Sequence, residues 1–297
     1  MNLQDVVNAM TLGSIYLLFA LGMALVWGTM GILNFAHGSI FMFSAFMGFI
    51  VTGFVPLPLP AVVLIAVVTG ALLTLAIQYF AYQPILKRVK SVAAAELQIV
   101  VAGIGIAAVP VAIAEKVTLS NNFGFQNSTF EAEVFEFAGI RITNIMILIL
   151  VAGLGLGIGT ALWIARSRRG LGLRAVGVDP ETAALMGVDR KRMALATMAF
   201  SGALAGLSGA LLTYYLTAIN PHSGDGLLLK AFAVIILGGL GSVVGVILGA
   251  FILAFAETAV FAYTSGTWVS AISFGLIFIL LLVRPQGILG KKEVRRT

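Results

Sequence analysis

Eight apolar stretches, at 6–33, 39–54, 60–82, 99–119, 144–165, 194–218, 228–262 and 267–283, fill most of this chain of 297 residues. Crossing the hydrocarbon core of a bilayer takes about 20 apolar residues in a helix, and most of these stretches supply them. Lipid offers no partner to a backbone N–H or C=O, so such segments must satisfy their hydrogen bonds internally. The chain therefore reads as an all-α integral membrane protein, a polytopic helical bundle of roughly eight to ten transmembrane segments with broken or re-entrant pieces. Composition excludes the alternatives. Hydrophobic residues make up 60% and charged residues 10%, with a mean hydropathy of +1.07, whereas soluble domains carry about 25% charge and disorder needs low hydrophobicity. Stretch 6–33 lacks a basic n-region and outruns the apolar part of a signal peptide, so it is read as a retained span.

The loops are of two kinds. Fifteen of the 18 Lys and Arg fall in three clusters: Lys87, Arg88 and Lys90; Arg166, Arg168, Arg169, Arg174, Arg190, Lys191 and Arg192; and Arg284, Lys291, Lys292, Arg295 and Arg296. Loop 120–143 instead sets Glu131, Glu133 and Glu136 against Arg141. By the positive-inside rule the basic clusters face the cytoplasm and 120–143 faces outward. The chain is expected to be a single transmembrane domain, 1–297, with a cytoplasmic loop 166–193, an extracytoplasmic loop 120–143 and a cytoplasmic tail 284–297. The net charge of +6 is then a positive-inside excess rather than a nucleic-acid surface. Absence of Cys excludes disulfide and thiolate chemistry, and two His, His37 and His222, cannot build a His-rich metal site.

Two interruptions stand out. Asn34-Phe35-Ala36-His37-Gly38 breaks an otherwise continuous apolar run, as either a broken helix lining a cavity or a turn between two spans. Stretch 228–262 is too long for one span and carries Gly238-Gly239-Leu240-Gly241-Ser242. An even number of crossings must join loop 166–193 to the tail, so 228–262 is read as two crossings joined by a Gly-rich turn, or a span plus a re-entrant piece. Among the 34 Gly, the pairs Gly155/Gly159, Gly202/Gly206, Gly241/Gly245 and Gly245/Gly249 have the spacing that lets helices approach closely in lipid.

Loop 166–193 contains a short device. Asp179 is an N-cap, Pro180 fits the first helical position, Glu181 adds negative charge to the first turn, and Gly187 is a stop. The result is a helix of about two turns, roughly 10 Å long. It is too short to be stable alone in water and needs packing. Its Ala183, Ala184, Leu185 and Met186 cannot all face one bundle, so it reads as a peg for a partner's groove or as a helix lying on the membrane surface.

This loop resembles the coupling loop of ABC importer permeases. More narrowly, Thr11-Leu12-Gly13-Ser14-Ile15-Tyr16, Gly31 through Gly38, Asp179 through Gly187, Leu237 through Ser242 and the tail Arg284-Pro285-Gln286-Gly287-Ile288-Leu289-Gly290 resemble the branched-chain amino acid permease family, in family order over nearly the whole chain. Lacking a long extra N-terminal region, the chain looks like the H-type of that family. The resemblance implies a pore formed with a sister permease, two cytoplasmic ABC ATPases, an extracytoplasmic binding protein, and a place in the bacterial cytoplasmic (inner) membrane. ATP and Mg would sit on the partner subunits and no cofactor on this chain, which has no G-x-x-x-x-G-K-[ST] loop. It further implies coupling through Asp179, Pro180, Glu181, Ala184, Leu185, Met186 and Gly187.

For the pathway the candidates are Asn34, His37 and Gly38, with Gly239, Gly241 and Ser242 second. The alternative reading of His37 is a hydrogen-bonded core residue. The expected cargo is a small polar solute, branched-chain amino acids first, with urea or short amides as the alternative. Glu257, an apparent intramembrane carboxylate, motivates a rival class, the proton-coupled secondary transporter. No H-E-x-x-H or G-x-S-x-G supports a membrane hydrolase, and no ring-forming charges support a passive channel.

Overall fold

The computed structural model describes residues 1–89, 91–137, 139–263 and 287–290, with positions 271, 275, 278 and 282. The expected span 267–283 lies almost wholly outside them, as do Lys90, Arg284 and the cations beyond 290. Eleven α-helices and one hairpin make up the described part. In chain order they are α1 (Leu3–Met30), α2 (His37–Phe54), α3 (Leu59–Ile77), a π-helical turn (Gln78–Tyr82) running into α4 (Gln83–Arg88), α5 (Val92–Thr118), the strands β1 (Val134–Phe137) and β2 (Ile140–Thr143), α6 (Asn144–Arg166), α7 (Arg168–Val178), α8 (Pro180–Leu185), α9 (Arg190–Leu216), α10 (Ser223–Gly238) and α11 (Val243–Tyr263). Seven of the described helices are long and apolar enough to cross a membrane.

α1 is the axis of the bundle. Its most apolar stretch is 89% buried, and it packs against α6, α7, α9, α10 and α11. A helix apolar on every side has no face to give to water, and in a bundle it takes the centre. Asn2 and Asp5 form a capping box at its start, and Gly31 ends it in the left-handed conformation with φ +66°.

The two kinds of loop lie at opposite ends. The N-terminal amine of Met1 donates to the Tyr263 hydroxyl at 2.5 Å, and Gln4 exchanges hydrogen bonds with the Arg141 backbone at 3.1 and 2.8 Å. Phe123 pairs with Ile219 and Leu57 with Ser128 at that same end. At the other end are Lys87, Arg88, α7, α8, Arg190 and the 239–242 turn, with Gly28 of α1 close to Gly177 and Gly241. The hairpin pairs Val134 with Thr143, an element that the apolar map did not resolve.

Glycine sets the tight contacts, though not everywhere the spacing suggested. Gly202 and Gly206 of α9 lie against the backbone of Gly70 and Ala66 on α3, and Gly245 and Gly249 of α11 lie against Gly238 and Val234 on α10. The pair Gly155/Gly159 is a correction. α6 packs on Ser14 and Leu17 through Gly153 and Gly157, while Gly155 and Gly159 have no atom of the described residues within 4 Å of where a Cβ would stand. Gly241 is also no packing glycine of the α10–α11 pair: it has φ +81°, no atom of the described residues lies within 4 Å of where its Cβ would stand, and it belongs to the turn.

Several helices outrun the apolar stretches that announced them: α5 starts at Val92, the α3–α4 unit runs to Arg88 and α9 starts at Arg190. Charged residues at helix ends reach the interface by their long stems, so hydropathy marks the apolar middle and not the ends. Stretch 228–262 separates into α10 and α11 around the Gly-rich turn.

Candidate functional site

α8 is built as its sequence reads. The Asp179 carboxylate accepts from the backbone N–H of Glu181 and Thr182, both at 3.1 Å, and from the Thr182 hydroxyl at 2.6 Å. Gly187 takes φ +86°, and its N–H and that of Val188 return to the carbonyls of Ala184 and Ala183 at 3.0 and 3.1 Å. Ala183 is buried against the chain, while Leu185 and Met186 are 87% and 82% exposed. An apolar pair so exposed on a doubly capped turn is a surface without a partner among the described residues. Glu181 and Ala184 are exposed beside it. α7, which holds α8 to the bundle, was not separated from the loop by sequence; its signal was Ser167, whose hydroxyl caps Gly170 at 2.8 Å.

The break after α1 is a broken helix, not a turn at the interface. His37 Nε2 lies 3.1 Å from the Phe19 carbonyl, so α2 begins about 16 Å back along α1 from Met30. Nε2 must carry the proton to donate there, and Nδ1 has no hydrogen-bond partner among the described residues. Asn34 holds the bend: its side-chain oxygen accepts from the Ala36 N–H at 3.1 Å and the Tyr82 hydroxyl at 2.8 Å. Asn34 and His37 are fully buried, which gives His37 the hydrogen-bonded core environment.

Gly38 opens α2 against the first turn of α10. A Cβ on Gly38 would stand 2.6 Å from the Gly224 carbonyl oxygen, and one on Gly224 would overlap the Gly38 carbonyl. Only glycine allows this meeting of two helix N-termini inside the bundle. The second group lies elsewhere. Gly239 (φ +98°) and Gly241 form the α10–α11 turn, where Ser242 caps the Gly245 N–H at 3.1 Å and the tail segment pairs through Ile288 and Leu289 with the carbonyls of Leu237 and Gly238. His37 is level with Gly22 of α1 and Gly241 with Gly28, a separation of about 9 Å along the helix.

Two charged clusters escaped the sequence because their members are far apart in the chain. Buried Glu257 accepts from the Tyr16 hydroxyl at 2.6 Å and from Lys230 Nζ at 2.8 Å, and Lys230 also donates to Tyr16 at 2.7 Å. At the end opposite the basic loops, the two nitrogens of His222 lie 2.8 Å from Glu115 and 3.1 Å from Asp225. Hydrogen bonds to Glu115 and then Asp225 raise the imidazole pKa above its ordinary value. Among the described residues no group of three or more His, Asp or Glu could hold a metal ion.

The family model described as "Branched-chain amino acid transport system / permease component" matches residues 6–282. The high-affinity branched-chain amino acid transport system permease protein LivH of Escherichia coli (strain K12) is 30% identical over 315 residues, with 99% of this chain and 97% of that protein covered. Its counterpart BraD of Pseudomonas aeruginosa is 30% identical over 310 residues, with the same shares of 99% and 97%. The probable LivH permease of Methanocaldococcus jannaschii is 28% identical over 297 residues, covering 95% and 91%. No solved structure matches.

Proposed function

Because the chain belongs to the family of branched-chain amino acid transport system permease components, we propose that it forms part of the solute path of an ATP-driven ABC importer. The solute is a small polar one, branched-chain amino acids first, and transport proceeds by alternating access in a bacterial cytoplasmic membrane. A sister permease completes the path, two ATPase subunits with ATP and Mg drive it from the basic side, and a binding protein delivers solute to the side of 120–143.

One observation carries the reading: the doubly capped α8 with Leu185 and Met186 unburied at the basic end. A rigid peg with an apolar tip suits a groove on a partner that moves. Pro180, Asp179 and Gly187 keep it stiff, and α7 ties it to Gly28 near the end of α1. Closure of the ATPases is thus passed to the central helix and to the break at 31–36. The meeting N-termini of α2 and α10 supply partial positive charge for a carboxylate where the interior has few free cations. Asn34, His37 and Gly38 position that junction, and Gly239, Gly241 and Ser242 form the hinge on the exit side.

The test is reconstitution with ATPases and binding protein. Leu185→Glu and Met186→Glu are expected to abolish ATP-driven uptake while the protein remains folded and monodisperse, and Gly187→Pro to do the same. Full coupled uptake by Gly187→Pro overturns the reading, and uptake that needs a pH gradient but no ATPase assigns the chain to the proton-coupled class. The ligand of the binding protein decides between branched-chain amino acids and urea or short amides.

A further inference from the structure

α6 carries glycine at alternate positions, and only one row of them packs. Gly153 and Gly157 lie on α1, but Gly155 and Gly159 face open space. They form the floor of a groove of about 440 Å³ between α1, α6, α7 and α9. Its walls are Leu25, Leu156, Leu173, Met193 and Phe200, and Trp163 and Arg169 stand at its basic-side end. Along α6 the lining runs from Gly155 to Trp163, about 12 Å, most of one leaflet of a hydrocarbon core about 30 Å thick.

The mouth has a charge the walls lack. Arg166, Arg168 and Arg169 are exposed, and no ion pair among the described residues engages them. Trp163 is half-exposed at the depth where indole rings settle between acyl chains and headgroups. A mainly apolar slot nearly one leaflet deep, with Thr160 and Thr197 also in its lining and unneutralised guanidinium groups at its mouth, complements one chemical class: an acyl chain bearing an anionic phosphate. Arginine grips phosphate through two parallel donors, and basic pockets between helices on the positive side collect anionic headgroups.

We propose that this groove holds one acyl chain of an anionic glycerophospholipid from the leaflet on the basic side, its phosphate against Arg169. The inference stands on the groove; the transport reading supplies only the word cytoplasmic for that leaflet. Occupancy replaces the missing Cβ atoms of Gly155 and Gly159 with lipid, filling a gap beside the α1–α6 and α6–α7 contacts.

The full-length chain is placed in nanodiscs of mixed phosphatidylcholine and phosphatidylglycerol, and retained lipid is counted by native mass spectrometry. The wild type is expected to retain one phosphatidylglycerol in excess of its share of the bilayer. Arg169→Gln is expected to lower the anionic-over-zwitterionic preference about fivefold. Gly155→Leu/Gly159→Leu, whose Cβ atoms stand more than 4 Å from any atom of the described residues, is expected to lose the retained lipid of either kind. Should that double variant fail to fold, judged by gel filtration, the Arg169→Gln selectivity decides alone. Retention insensitive to Arg169→Gln overturns the proposal. So does crosslinking of a Gly159→Cys variant to another polypeptide in the assembled transporter, which puts a protein in the groove. Loss of lipid selectivity with α8 function intact, or the reverse, separates this proposal from the transport reading.

Discussion

Glu257 is 4% exposed in α11, where a lone carboxylate would be costly. Lys230 and Tyr16 answer that cost with hydrogen bonds to the same oxygen, and the ammonium also lies over the Tyr16 ring at 4.9 Å from its centre. The cluster joins α1, α10 and α11, so its chemistry is that of a clasp. Glu257→Gln is therefore expected to destabilise by about 3–5 kcal/mol, because it strands a partly buried ammonium. Lys230→Met/Glu257→Met should recover most of that loss, as replacing both partners with apolar groups commonly does. Thermal unfolding of the wild type, Glu257→Gln and the double variant measures it, and an absence of recovery refutes the clasp. His222 is the opposite case, an exposed ion cluster. Its pKa is raised in the folded protein by Glu115 of α5 and Asp225 of α10. The stabilisation is thus fully present below the ordinary imidazole value and is lost as pH rises through the raised one. Relative to His222→Gln, the wild type should show a thermal advantage at about pH 6 that disappears by about pH 9. Because the groups are solvated, molar salt should suppress the difference.

At the scale of elements, α8 depends on its caps because six residues lie below the length at which a helix holds itself. Asp179→Ala removes an acceptor for two backbone N–H groups and one hydroxyl, a cost of about 1 kcal/mol for a typical cap. That cost falls locally: amide exchange over 180–187 should quicken while the overall unfolding transition stays in place. The same cap explains why α8 could be read in the sequence. Asp179, Pro180 and Gly187 act within the segment they bound, and Asn34 and Gly38 mark the break for a similar reason. α7 has weaker punctuation, with Arg and Gly where an apolar face would be, and only Ser167 announces it. The packing face of α6 was misread because Gly153, Gly155, Gly157 and Gly159 offer two spacings of four, and the choice between them is made by Ser14 and Leu17 on another helix. Glu257 was visible as an anomaly, but its partners are set by tertiary structure that no local pattern encodes.

The whole molecule is polar along one axis: the amine of Met1, the hairpin and the His222 cluster at one end, α7 with its arginines and α8 at the other. That arrangement is what a bundle needs if signals enter at one face and solute at the other. It also makes orientation the premise on which the transport reading turns. Positive charge is retained on the cytoplasmic side during insertion, so α8 should be reachable only from there and the hairpin only from outside. The absence of Cys from the sequence makes the measurement clean, since any thiol is the one introduced. Leu185 and Phe137 are 87% and 79% exposed and occupy opposite ends, so replacing either disturbs no core. A membrane-impermeant maleimide should label Phe137→Cys in intact spheroplasts and leave Leu185→Cys untouched. In inverted vesicles the pattern should reverse. If Leu185→Cys reacts from the outside, α8 cannot meet a cytoplasmic ATPase, and the charge of the arginines at its end would have to be explained by something other than insertion.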